Sequence, residues 1–277
     1  MQFREICEKF LEDKELEGCA KGTLREYRSR LEELGDYFNQ EKLNFLTLEN
    51  TDISTFVHFL IKKGQKNQTI KNKLSTFSVL INWSVKEGLR ENLDVKQHYP
   101  KVVVQKISRL SDEEIKIFTS YIDGLQENIR AAFYLMMGTG CRVGEAAHLR
   151  PTDVTLRGKS VYIDIHEAKW GSDRCIPITE QVPAQVVWKY REELELDSRP
   201  LFRVSKRTLQ WYATDFAKKT GIPFKCHLLR HTYAALLTEK GVPMTTTQVL
   251  LGHKSLSMTA HYANSAIADL KDISATI

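Results

Sequence analysis

Apolar residues recur at helical spacing through the first part of the chain. Phe3, Ile6, Phe10 and Leu11 fall on one helical face. Leu24, Tyr27, Leu31, Leu34 and Phe38 repeat the pattern over residues 23–38. Thr51 or Asp52 can cap a third helix carrying Ile53, Phe56, Val57 and Leu60, which Gly64 ends. A fourth and longer helix opens at Asn67 or Gln68 and runs to Glu87, with Gly88 as its stop. Its apolar face is Ile70, Leu74, Phe77, Leu80, Ile81 and Trp83, and its polar face carries Lys66, Lys71 and Lys73. Four such helices predict a small bundle.

Beyond residue 90 the pattern breaks. Pro100 and a β-branched run predict an extended linker over residues 94–109. Ser111 through Glu114 is a capping-box pattern, so a new helix and a new domain start there. Helices are expected over residues 112–122 and 127–137, followed by a turn at Gly138 and Gly140. Arg142 then opens a short helix that Leu149 ends, with Pro151 following. Val154 to Leu156 and Ser160 to Ile165 alternate about Arg157, Gly158 and Lys159, a hairpin signal. A third strand is expected over Arg174 to Ile178, after a turn at residues 170–173. Further helices are expected over residues 182–194, 205–220, 227–239, 245–251 and 256–263. The expected fold is mainly α with a small antiparallel sheet. A four-helix domain spans residues 1–93, a linker 94–109 and an α+β domain 110–277.

Composition narrows the class. The chain has 277 residues, 42% hydrophobic and 27% charged, as in a soluble globular protein. No apolar run is long enough to span a membrane, and the N-terminal residues do not read as a signal peptide. Five scattered cysteines without a Cys-x-x-Cys pair read as reduced cytoplasmic thiols. Net charge is +5, but residues 62–109 hold 11 Lys and Arg against 3 Asp and Glu. That concentration suits a surface that tracks phosphates, and equally a solvated helix face.

The candidate chemistry lies between residues 226 and 262. His227 and Arg230 are three apart, so a helix puts both on one side. Gly252 ends the following helix, which leaves His253 in a loop, and Tyr262 lies further on. His227, Arg230 and His231, then Leu251, Gly252 and His253, then Tyr262, together resemble the second half of the tyrosine recombinase (phage integrase) active site. The remaining pieces of that resemblance are upstream. Thr139, Gly140, Arg142 and Glu145 resemble the family's first arginine box. Lys169, Gly171, Arg174 and Pro177 resemble its Lys-x-Gly-x-x-Arg-x-x-Pro β-hairpin. Residues 1–93 look like the family's core-binding domain, which grips one face of a duplex.

The resemblance implies a site-specific DNA recombinase. Tyr262 would displace a 5′-oxygen and stay on the 3′-phosphate, which conserves the bond energy. Arg142 and Arg230 would hold the non-bridging oxygens, with Glu145 orienting Arg142. His253 would add a hydrogen bond to phosphate. His227 would accept the phenol proton or hold the phosphate, and Lys169 would protonate the leaving oxygen. Neither a metal nor a nucleotide cofactor is needed. The family pattern implies a double-stranded DNA recombination site, self-association into a tetramer on that DNA, an accessory DNA-bending or partner recombinase, and no arm-binding domain. The tail, with Ile267, Leu270 and Ile273 at spacings of three, would pack on a neighbouring protomer or fold back on its own domain.

Other readings are bounded by the same residues. His231 reads as structural, turned away from the His227 face. His227 and His231 invite a metal site, but Leu228 takes the place of the Glu in the His-Glu-x-x-His pattern. Leu228, Ala235 and Leu93 depart from common family residues without touching the six candidate catalytic positions. A type IB topoisomerase-like relaxer would share the site and differ in not exchanging strands between two duplexes. A non-catalytic DNA-binding protein would not need Tyr262 and both arginines.

Overall fold

The computed structural model describes residues 2–103, 109–166 and 173–252. The chain divides into two compact units, residues 1–104 and 105–277. The fold is mainly helical with one three-stranded antiparallel sheet.

The first unit is built on four helices: α1 (Phe3–Leu16), α2 (Lys21–Glu41), α3 (Asn50–Lys62) and α4 (Asn67–Lys86). The apolar positions at helical spacing form its core. Ile6, Phe10, Leu60, Ile70, Leu74, Leu80 and Ile81 are fully buried. α1 lies on α2 so closely that a Cβ at Gly35 would come within 3.1 Å of the Phe3 ring. The Trp83 indole N–H donates to Asp13 at 2.9 Å, tying α4 to α1. α2 ends on Lys42 in the left-handed region (φ 55°), a conformation expected of glycine or asparagine.

The start of the expected linker is not extended. Residues Val95–His98 form a short 3-10 helix, capped by Asp94, whose side chain accepts from Lys96 N at 3.1 Å. Val95 and Leu93 are buried in the core of the first unit. Two apolar side chains that find a groove outweigh the local preference of the following Pro100 for extended chain.

The second unit is organised on α6 (Glu127–Thr139), which is buried along nearly its whole length. Ala131, Ala132, Phe133, Leu135 and Met136 are fully buried. α5 (Asp112–Asp123) leads into it, and the expected capping box is present, with Glu114 N donating to Ser111 Oγ at 3.2 Å. α8 (Gln181–Glu192) and α10 (Cys226–Glu239) pack against α6. Phe118, Phe133, Phe216 and Phe224 meet edge-on or stacked beside it. Truncating one such ring to Ala costs about 3–5 kcal/mol. Gly138 is not part of a turn. It lies within α6, where a Cβ would come within 2.8 Å of Ile178 and 2.9 Å of Pro183.

The sheet is a meander of β1 (Val154–Arg157), β2 (Ser160–Ile165) and β3 (Arg174–Ile178), in the order β1-β2-β3. Val154 pairs with Ile163 and Ile163 with Ile176, so the buried residues of β2, namely Val161, Ile163 and Ile165, alternate as a one-faced strand requires. α7 (Val143–His148), α9 (Lys206–Thr220) and α11 (Met244–Leu251) complete the described part of the unit. The helix expected over residues 256–263 and the tail lie outside the described residues.

Candidate active site

The site begins at the end of α6. Gly140 terminates that helix in the left-handed region (φ 61°), which only glycine enters without strain. The chain then turns back, and Arg142 becomes the N-cap of α7. Its backbone N–H donates to Glu145 Oε2 at 2.8 Å, and its Nη1 donates to Glu145 Oε1 at 2.7 Å. Glu145, one turn into α7, therefore holds Arg142 at two points.

Arg174 holds the same carboxylate from β3. Its Nη2 donates to Glu145 Oε2 at 2.8 Å, and its Nη1 reaches Oε1 at 3.4 Å. Burial alone would raise the Glu145 carboxyl. The Arg174 fork, and after it Arg142, outweighs burial and holds the carboxyl below its ordinary range. The Cys141 thiol beside this network is pushed up to about 12 by burial and is inert as a nucleophile.

Arg230 comes from α10 and is 1% exposed. A guanidinium at that depth must be hydrogen-bonded. Its Nη1 donates to Gly140 O at 3.0 Å and its Nη2 to Leu251 O at 2.6 Å. The end of α11 thus collects three arginines on three consecutive carbonyls. Arg174 Nε donates to Leu250 O at 2.7 Å, Arg230 to Leu251 O, and Arg142 Nη2 to Gly252 O at 3.4 Å. The last carbonyls of a helix lack partners within it and carry the negative end of its dipole, which explains why cations gather there. Gly252 closes the helix at φ 64°.

His227 lies on the first turn of α10, with its ring edge-on to His231 at 4.5 Å between centroids. The expectation that His231 turns away is corrected: four residues advance a helix by about 400°, which returns His231 to the side of His227. Burial, then the charges of Arg230 and Arg142, lowers the pKa of His227. Burial, then His227 and Arg230, pulls His231 down to about 4. Both imidazoles are therefore held toward the neutral form, and a neutral imidazole can accept a proton.

Arg142 and His227 open onto a cleft of about 1090 Å³. Its lining also carries Arg150, Lys206 and Lys225, together with Asp153. Arg142 keeps 28% of its side chain exposed there, whereas Arg174 keeps 3%. Arg142 can meet a ligand in the cleft, and Arg174 sits behind it.

The predicted site residues are therefore placed unequally. Arg142, Arg230 and His227 come together. Lys169, His253 and Tyr262 lie outside the described residues. In the first unit, Lys66 and Lys71 are exposed on α4 or at its start. Lys73 is not. It is ion-paired with Glu33, donates to Gln65 at 2.7 Å and keeps 13% of its side chain exposed. An ammonium held that way is neutralised within its own unit and is a poor candidate for a phosphate contact. Arg174 was visible in the sequence as one letter of the lysine hairpin pattern, but nothing in its spacing reveals that it faces Glu145.

The chain is similar to known proteins over both units. Residues 108–268 match the phage integrase family, and residues 8–88 match the phage integrase N-terminal SAM-like domain. The chain is 28% identical to tyrosine recombinase XerA of Pyrococcus furiosus over 97% of this chain and 92% of the relative. It is 26% identical to tyrosine recombinase XerC of Staphylococcus carnosus over 92% of this chain and 90% of the relative. A lambda integrase dimer bound to a COC′ core site shares the fold, with a TM-score of 0.75, 22% identity and 95% of each chain covered. The family match takes in Arg142, Glu145, Arg174, His227 and Arg230 in a single segment, so the chain belongs to the phage integrase family and is a site-specific DNA recombinase.

Proposed function

We propose that this chain cleaves and rejoins DNA strands through a covalent link between Tyr262 and the 3′-phosphate. The Tyr262 oxygen attacks phosphorus, the bond to the 5′-oxygen breaks, and that oxygen leaves with a proton. A 5′-hydroxyl from another strand then attacks the phosphotyrosine, restoring the phosphodiester and the phenol. Arg142 and Arg230 stabilise the charge on the non-bridging oxygens, His227 accepts the phenol proton, Lys169 supplies the proton to the leaving oxygen, and His253 adds a donor to phosphate.

The observation that carries this reading is the convergence of Arg142 and Arg230 on the end of α11. Arg230 bonds Gly140, which is 90 residues away and two positions before Arg142, and it also bonds Leu251. One guanidinium therefore fixes the first arginine box and the turn leading to His253 against each other. The neutral His227 beside two guanidiniums suits proton acceptance from a phenol.

The expected partner is double-stranded DNA, engaged by more than one copy of the chain. Structural relatives include a lambda integrase dimer on a core site, a lambda integrase tetramer on a Holliday junction, and XerH bound to its difH substrate. Among the described residues no helix is long and apolar enough to cross a membrane. A DNA-associated location follows from the proposed activity.

The test is a nicked suicide substrate carrying a cognate site. The wild-type chain should form a covalent adduct, and Tyr262→Phe should bind the same DNA without forming one. An adduct with the Phe variant would reject the assignment. Relaxation of supercoils without exchange between two cognate duplexes would move it to a type IB relaxer.

A further inference from the structure

We propose that Arg174 is a positioning residue for strand cleavage, whose charge occupies Glu145 so that the charge of Arg142 stays available to the phosphate. The inference rests on the reading of Arg142 as a phosphate-binding arginine.

The geometry is a carboxylate between two guanidiniums. Glu145 has 9% of its side chain exposed, so its charge needs compensation within the protein. Arg174, with 3% exposed, faces it with both Nη atoms, a forked approach from β3. Arg142 approaches from the other side through its backbone N–H and a single Nη atom. Two guanidiniums and one carboxylate leave one net positive charge, and it falls on the arginine that opens to the cleft. Arg230 adds a second positive charge behind the same turn. If Arg174 were neutral, the cation left on Glu145 among the described residues would be Arg142. The carboxylate would then cancel the charge meant for the non-bridging oxygens. Arg174 also donates to Leu250 O through Nε, so the group that balances Glu145 also holds the end of α11.

A merely structural role for the Arg174–Glu145 pair predicts a different pattern of losses, and substrate charge separates the two. Cleavage is measured as adduct formation by the full-length chain on two nicked substrates. One has an ordinary scissile phosphodiester. The other has a methylphosphonate, in which a methyl group replaces one non-bridging oxygen and removes its charge. Arg174→Met should slow adduct formation on the phosphodiester by about 10²-fold, the scale expected for misplaced or mismatched transition-state charge. DNA affinity should stay within about threefold. On the methylphosphonate the loss should shrink at least tenfold relative to wild type, as it should for Arg142→Ala. Arg174→Lys keeps the charge and should recover most of the phosphodiester rate.

An equal loss on both substrates, or Arg174→Lys failing as badly as Arg174→Met, would overturn the proposal. Because a lone buried carboxylate can prevent folding, the neutral pair Arg174→Met with Glu145→Gln is the second variant. With no carboxylate charge left to cancel Arg142, it should cleave the phosphodiester within about tenfold of Glu145→Gln alone, and a further loss of about 10²-fold or more beyond that single variant would overturn the idea. A wild-type chain that forms no adduct at all would instead reject the underlying function, so the two failures are distinguishable.

Discussion

Gly140 faces the ring of Tyr233 at a distance no side chain could share. A Cβ on Gly140 would come within 2.9 Å of Tyr233 Cγ and 3.1 Å of Leu251 Cδ2, and the residue adopts φ 61°. The Gly140 carbonyl accepts from Arg230, so the close approach and the arginine contact are one arrangement. Gly140→Ala combines left-handed strain of about 1–2 kcal/mol with overpacking of about 1–3 kcal/mol. Its thermal midpoint should fall by several degrees, and adduct formation should fall with it because Arg230 shifts. A variant with unchanged midpoint and unchanged cleavage would show that the contact is looser than described.

Stability should depend on pH through the histidine pair on α10. The folded-state pKa of His231 is lowered from 6.5 to about 4, and that of His227 is lowered as well. A lowered imidazole pKa means that the unfolded chain takes up a proton that the folded chain refuses. The contribution is therefore complete above about pH 6.5 and is lost as pH falls from there toward about 4. Denaturant midpoints should decline across that window, and His231→Gln should flatten the decline. The same slope in both proteins would place the acid sensitivity elsewhere.

Salt dependence of DNA binding should separate the lysines of α4. Lys66 and Lys71 are exposed, whereas Lys73 is paired with Glu33. Neutralising Lys71 should reduce the slope of log K against log salt by about one, the value of one phosphate contact. Lys73→Met should leave the slope alone and lower the stability of the first unit, since Glu33 loses its ion-pair partner and, among the described residues, keeps only Gln65. A slope change in Lys73→Met would return that residue to the DNA interface.

Lys169 is tested through the leaving group. An alkoxide needs a proton to depart and a thiolate does not. Lys169→Ala should cleave ordinary DNA about 10²–10⁴-fold slowly and approach the wild-type rate when sulfur replaces the bridging 5′-oxygen. Arg142→Ala should gain no comparable rescue. Equal responses would make Lys169 another phosphate clamp.

The C-terminal residues are tested by truncation. Removing residues 266–277 should leave single-site binding intact and reduce cooperative assembly on a full site. Equal cooperativity before and after would reject docking on a neighbour.

Local pattern alone determined much of this protein. The helices of both units follow apolar residues spaced at three and four, and the first two strands follow alternation about Gly158, because those periodicities are properties of the backbone itself. Arg142, Glu145, His227 and Arg230 were picked out by their resemblance to a family pattern, whereas the helix stop at Gly252 was legible from local pattern. Contacts between segments were not legible. Lys73 looked like one more cation on a polar face until α2 placed Glu33 beside it. Val95 looked like linker until the helical bundle offered a groove. Arg174 looked like a strand residue until packing of β3, α7 and α11 set it against Glu145 and Leu250. Spacing along a chain fixes which side chains share a face. Burial and the need to pair every buried charge fix which faces meet, and only the tertiary structure decides that.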